Sequence, residues 1–128
     1  MTAALLFAVA LTVVPGAHAR AVCPVGLHPV ETVELFFGRG AVSDAEWQGF
    51  LDAEVTPRFP DGLSAWDVQG QWTAPDGRLS REPSKVVLLV LGPKPGQQAR
   101  ITALIEAYKA QFHQQSVLRV EHRDCAAF

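Results

Sequence analysis

The chain has 128 residues, of which 48% are hydrophobic and 19% charged, and a formal net charge of -2. That composition fits one globular domain and leaves no room for two independent cores. With 11 basic residues against 13 acidic ones, nothing attracts nucleic acid or an anionic membrane surface, and 2 cysteines are too few for a disulfide-dense scaffold or a four-cysteine zinc site.

Residues 1–19 contain no Lys, Arg, Asp or Glu. Leu5 to Val14 form an apolar run, Pro15-Gly16 break it, and Ala17-His18-Ala19 supply a small-x-small cleavage pattern. This order predicts a secretory signal peptide cleaved after Ala19, leaving residues 20–128 as one domain in the periplasm or the medium. The run falls short of the roughly 20 residues that span a bilayer, and no second such run follows, so no transmembrane segment is expected in the mature chain. No basic residue precedes the run, which leaves the true start open. The alternative reading is an N-terminal helix of the domain. In an exported chain, Cys23 and Cys125 are expected to form a disulfide. Lipid anchoring at Cys23 is the competing reading, although Arg20-Ala21-Val22 fits a lipoprotein signal poorly.

Thr32 to Phe37, rich in branched and aromatic residues, reads as a strand ending at Gly38-Arg39-Gly40. Ser43 and Glu46 form a capping box at a helix start, and Trp47, Phe50, Leu51 and Val55 make its apolar face until Thr56-Pro57 ends it. A second strand is expected from about Leu63 to Thr73. Its set Trp66, Val68, Gly70 and Trp72 is assigned to the covered face, where the tryptophans, like Trp47, would be core. Ala74-Pro75-Asp76-Gly77 is a turn. A third strand spans about Arg78 to Leu91, with Pro83 marking a bulge or an edge and Val86 to Leu91 suiting a central position. After the Gly92 to Gly96 break, a helix from about Gln97 to His113 presents Ile101, Leu104, Ile105, Tyr108 and Phe112 on one face. Ser116 to His122 closes the chain as a strand.

Strand-helix-strand-strand-helix-strand is the order of an α+β ferredoxin-like domain, an antiparallel four-stranded sheet with two helices on one face. In that topology the first and last strands are antiparallel neighbours, which brings Cys23 and Cys125 to the same end of the sheet. Period-2 counting assigns Glu34, Asp67, Gln69, Gln71, Arg119 and Glu121 to the uncovered face, with Glu34 and Arg119 close enough to pair. Gly38-Arg39-Gly40 lacks the third glycine and the parallel unit of a dinucleotide site, though Arg39 beside a helix start suits a small anion. His28, His113 and His122 share no metal-ligand spacing, Ser84 and Lys85 point to opposite faces, and no nucleophile, base and orienting group converge. No cofactor and no metal are expected.

The blocks Thr32 to Gly38 (TVELFFG), VSDAEWQGF at 42–50, VTPRFPDGL at 55–63, GQW at 70–72, REPSKVVLL at 81–89 and QQSVLRV at 114–120 resemble a family of small bacterial exported proteins, domain of unknown function 3574, over residues 31–122. Many of its members look like secreted proteins or lipoproteins. The resemblance implies no activity, substrate or catalytic residue. It picks out Arg58, Asp61, Gly62, Gln71, Arg81, Glu82 and Lys85 as positions fitting the family motif, with Asp61-Gly62 as a turn buttressed by Arg58.

Two functional readings follow. The first is a non-catalytic exported module that binds a small anion or an envelope partner through the open sheet face, using Glu34, Arg39, Asp67, Gln71, Arg81 and Arg119; a homodimer through that face is a variant. The second is a small acid/base enzyme acting on an anionic substrate, with Glu34 or Asp67 as the acid/base and Arg39, Arg81 or Arg119 as the anion holder.

Overall fold

The computed structural model describes residues 22–128. The expected leader over residues 1–19 lies outside the described residues. The first strand, β1, runs His28–Gly38, and its alternation is sharp: Val33, Leu35 and Phe37 are fully buried, while Thr32, Glu34 and Phe36 on the opposite face are half-buried. The chain then turns into helix α1, made of three contiguous segments: Asp44–Phe50, a π-helical turn Leu51–Val55, and Thr56–Arg58. Strand β2 is Ser64–Thr73, β3 is Leu79–Leu91, helix α2 is Gln97–Phe112, and β4 is Leu118–Ala126.

The sheet order is β2-β3-β1-β4 with every neighbouring pair antiparallel, which is the ferredoxin-like arrangement. Trp47 and Phe50 from α1 and Ile101, Leu104 and Tyr108 from α2 bury against Val33, Leu35 and Phe37 of β1 and Val87, Leu89 and Leu91 of β3. Five aromatic rings form the centre of this core, with ring centroids 4.6 Å apart for Phe37–Tyr108, 5.1 Å for Phe50–Tyr108 and 4.9 Å for Tyr108–Phe112. Edge-to-face and tilted contacts of this kind add to the burial of the rings themselves. No residue of β2 or β4 belongs to the core cluster. Two helices are wide enough to cover only the two central strands.

Three local expectations are corrected. Helix α1 does not stop at Thr56-Pro57: in the π turn the Thr56 N–H donates to Leu51 O, and Pro57, lacking an N–H, follows without loss until Arg58. Pro83 makes no bulge. It pairs with Gln69 in an unbroken β2–β3 register, and its carbonyl accepts from the Arg39 N–H at 3.0 Å. A strand residue presents N–H and C=O to the same side, so the missing donor faces the β1 side, just past the last β1 pair at Gly38↔Ser84. Strand β4 runs on past His122 to Ala126 because β1 starts early, at His28, and pairs with it. The Cys23–Cys125 disulfide closes there, with Cα atoms 5.6 Å apart beside the Pro29↔Cys125 pair.

The registers also correct the assignment of faces. Trp66 pairs with Val86 and Asp67 with Lys85; Leu35, on the helix side, pairs with Arg119, and Glu34 pairs with Val120. Asp67, Gln69, Gln71, Arg119 and Glu121 therefore lie on the helix side, and of the six polar residues assigned to the open face only Glu34 is there. Glu34 and Arg119 point away from each other across the sheet. Trp66, Val68, Gly70 and Trp72 occupy the open face. Trp66 is 41% and Trp72 51% exposed, whereas Trp47 is buried as expected.

Candidate functional site

At the Gly38 end of the sheet, on the helix side, four charged groups interlock. The Lys85 ammonium lies 2.5 Å from Asp67 Oδ1 and 3.3 Å from Asp44 Oδ1, and Arg39 Nη2 lies 2.9 Å from the same Asp44 oxygen. Arg39 Nε donates to the Val42 carbonyl at 2.7 Å, bracing the β1–α1 link. Donating a hydrogen bond to the Asp67 carboxylate raises the Lys85 pKa above its ordinary value, outweighing the burial of its stem. This network ties β1, β2, β3 and the helix start together, and both cations are fully partnered within it.

Between the end of α1 and the start of α2 lies a pocket of about 290 Å³ lined by Arg58, Phe59, Asp61, Gly62, Lys94 and Gln97 among others. Its polar groups also satisfy one another. Arg58 Nη1 donates to the Glu54 carbonyl at 2.6 Å and pairs with the Glu54 carboxylate at the same distance, Asp61 pairs with Lys94, and Gln97 accepts from Arg100 at 3.2 Å. Arg58 thus closes the last turn of its own helix rather than buttressing the Asp61-Gly62 turn.

The open face is different. A cleft of about 700 Å³ runs along it between the β2–β3 hairpin and the link from α2 to β4, lined by Phe36, Trp72 and Leu118 and by Glu82, Ser84 and His113–Ser116. Its floor is Gly38. A Cβ there would come within 3.2 Å of Glu82 Oε1 and 3.6 Å of Gln114 Oε1, so the bare glycine is what lets both side chains lie over the strand end. Below the floor, the Tyr108 hydroxyl donates to the Gly38 carbonyl at 2.9 Å. That buried phenol has its pKa pushed up to about 12, chiefly by burial, with Arg39 opposing and the nearby Glu82 adding to the rise. Opposite, Gly70 is close-packed for the same reason: a Cβ would meet Ser84 Oγ at 3.3 Å. The wall over Gly38 is set by His113, which ends α2 in the left-handed conformation (φ 55°) and turns the chain across the sheet end. No hydrogen bond or ion pair among the described residues reaches the Glu82 carboxylate, whose oxygens open into the cleft.

The sequence-predicted candidates divide accordingly. Arg39 and Asp67 meet in the helix-side network, 4.0 Å apart. Arg81 Nε donates to Gln71 Oε1 at 3.0 Å across the β2–β3 ladder. Arg119 pairs with Glu121 and Gln98 beside α2. Glu34 sits alone on the open face. The structure does not bring these six together, and the arginines proposed to hold an anion are engaged internally. Phe36, Gly38, Trp72, Ser84, His113 and Gln114 were not foreseen as a site. The sequence marks Glu82 only as a motif position beside Pro83. Among the described residues no group of His, Cys, Asp and Glu is arranged to hold a metal ion, and no helix is long and apolar enough to cross a membrane.

The fold and the cleft define a ferredoxin-like α+β domain with an uncovered, partly apolar sheet face. Two solved structures share that fold at low identity. A phage SAM lyase in complex with S-methyl-5'-thioadenosine is 14% identical, with a TM-score of 0.58 over 77% of this chain and 90% of the lyase. CutA from Synechococcus elongatus complexed with Bis-Tris is 11% identical, with a TM-score of 0.52 over 77% of this chain and 84% of CutA. No curated protein matches the sequence. The profile of the protein of unknown function family DUF3574 matches residues 32–128, and the chain belongs to that family.

Proposed function

We propose that the protein is an exported, non-catalytic binding module that takes a ligand on the open face of its sheet, in the cleft around Glu82. One observation carries this reading: an unpartnered carboxylate lies over a glycine floor between exposed apolar side chains, while the charged groups of the helix-side network and of the α1–α2 pocket are satisfied internally. A solvated structural face would pair its charges across strands and keep its tryptophans covered. The lyase and CutA each hold a small molecule, which shows that such a domain can do so and supports no particular ligand here. Export is supported by the leader-like residues 1–19 and by a disulfide of the kind that persists in oxidising compartments.

The test is fragment screening by tryptophan fluorescence, followed by chemical-shift mapping on the labelled protein. Trp66 and Trp72 report from the open face and Trp47 from the core. Hits are expected to perturb Phe36, Gly38, Glu82 and Gln114 and to weaken in Trp72→Ala. Hits that map instead to Arg58, Asp61 and Lys94 would move the site to the helix side and sink this reading.

A further inference from the structure

We infer that the open-face cleft selects a small organic cation, an ammonium or guanidinium group carried on a compact apolar or aromatic body. The inference rests on the open face being the binding face and adds the chemistry that this face accepts.

Charge is partitioned across the sheet. The pairing registers place Arg81, Lys85, Arg119 and Arg123 on the helix side, and these are all the Lys and Arg residues in the four strands. The open side has Glu34, Glu82 and Asp124 and no Lys or Arg. Of these Glu82 lines the cleft itself, so an anion entering it would meet that carboxylate, whereas a cation would complement it. The same argument disfavours a second copy docked face to face, since two acidic faces would oppose each other.

The acceptors converge. Glu82 Oε1 and Gln114 Oε1 both lie over Gly38, and Ser84 Oγ lies over Gly70 one pair further in. The Gln114 amide nitrogen donates to the Phe112 carbonyl at 3.3 Å, which fixes that side chain with its oxygen toward the cleft. A half-buried carboxylate with a second oxygen beside it forms short, charge-assisted bonds to N–H donors. Trp72 and Phe36 line the cleft and supply the aromatic surface that suits a cation and its apolar body. A cleft of about 700 Å³ has the size of a small-molecule site.

The test uses three probes of nearly equal size: benzylammonium, benzyl alcohol and benzoate, titrated by tryptophan fluorescence and calorimetry into wild type and Glu82→Gln. Benzylammonium is expected to bind about tenfold or more tightly than benzyl alcohol, and benzoate more weakly than either. In Glu82→Gln, which keeps the side-chain shape, that preference should fall to within about threefold while the thermal midpoint stays put. Equal binding of the three probes would overturn cation selectivity and leave the open face as the binding face. A cation preference unchanged in Glu82→Gln would overturn the assignment to this cleft. Failure of all three to bind, with fragment hits mapping to the helix side, would overturn both readings.

Discussion

Tyr108 is the chain's single tyrosine and has no exposed surface, and its hydroxyl is the prop under the cleft floor. Because its folded pKa is raised above the ordinary value near 10, its contribution to stability is complete below about pH 10 and is lost as pH rises through about 12. Lys85 acts in the same direction: its pKa is raised by Asp67, so its contribution is complete below its ordinary value and disappears above it. The fold should therefore lose stability in alkali, with the tyrosine accounting for about 3 kcal/mol. Phenolate absorbance reports Tyr108 alone and should appear only together with the loss of circular dichroism. A phenolate signal that rises at ordinary pH, ahead of unfolding, would contradict the buried hydrogen bond. Gly38→Ala is a second residue-scale test. Its Cβ meets only the side-chain ends of Glu82 and Gln114 and no backbone, so stability should change by less than about 1 kcal/mol. Binding of benzylammonium should fall several-fold, because the displaced carboxylate no longer lies over the floor. An unchanged affinity would place the cation elsewhere.

At the scale of elements, the helix cap and the strand order are legible in the sequence, and the faces of the edge strands are not. Ser43 and Glu46 form the reciprocal cap their spacing announces: the Glu46 N–H donates to Ser43 Oγ at 3.2 Å and the Ser43 N–H to Glu46 Oε2 at 2.9 Å. Ser43→Ala should cost about 1 kcal/mol, a fall of about 4 °C in thermal midpoint for a domain of this size. The carboxylate of Glu46 has a lowered pKa, chiefly through its bond from Ser43, so its part of the cap is present above the ordinary glutamate value and disappears as pH falls. The faces of β2 and β4 were misread for a physical reason. Polarity reports coverage only where helices cover the strand, and here they cover β1 and β3 alone. On the edge strands the helix-side residues lie at a wet rim and are polar, as Asp67, Gln71, Arg119 and Glu121 are. The apolar set faces the uncovered side. Strand β3, buried or half-buried from Ser84 onward, is apolar on both faces from Val86 to Leu91 and gives no parity to align its neighbours against. The cleft was illegible in consequence, since it joins the end of β1, the β2–β3 hairpin and the α2–β4 link, which only register brings together. A tryptophan series tests the corrected faces. Trp47→Ala should cost about 3–5 kcal/mol as a core truncation, and Trp66→Ala and Trp72→Ala no more than about 1 kcal/mol each. Equal losses in urea titrations would mean that the open face is covered.

At the scale of the whole molecule, the disulfide and the cleft lie at opposite ends of β1. Cys23–Cys125 closes beside Pro29, and the cleft floor is Gly38, about 30 Å away along an 11-residue strand. The bond links positions 102 apart in sequence and so acts mainly on the unfolded chain, where closing a loop of that length is worth about 4–5 kcal/mol in the chain-entropy account. Reduction, or Cys23→Ser with Cys125→Ser, should therefore lower the urea midpoint strongly and leave the affinity of the folded fraction for benzylammonium unchanged. A loss of affinity in step with the loss of stability would show that the two ends of the sheet are mechanically coupled. The same bond bears on the compartment. A sulfur joined to Cys125 has no thiol left for a lipid, so a disulfide and an anchor at Cys23 exclude each other in one molecule. Intact mass of the protein from its natural host separates the cases. Cleavage after Ala19 with two hydrogens missing is the expected result. A diacylglycerol increment on Cys23 would replace the secreted module with a membrane-tethered one, its β1–β4 end facing the bilayer and its cleft pointing away.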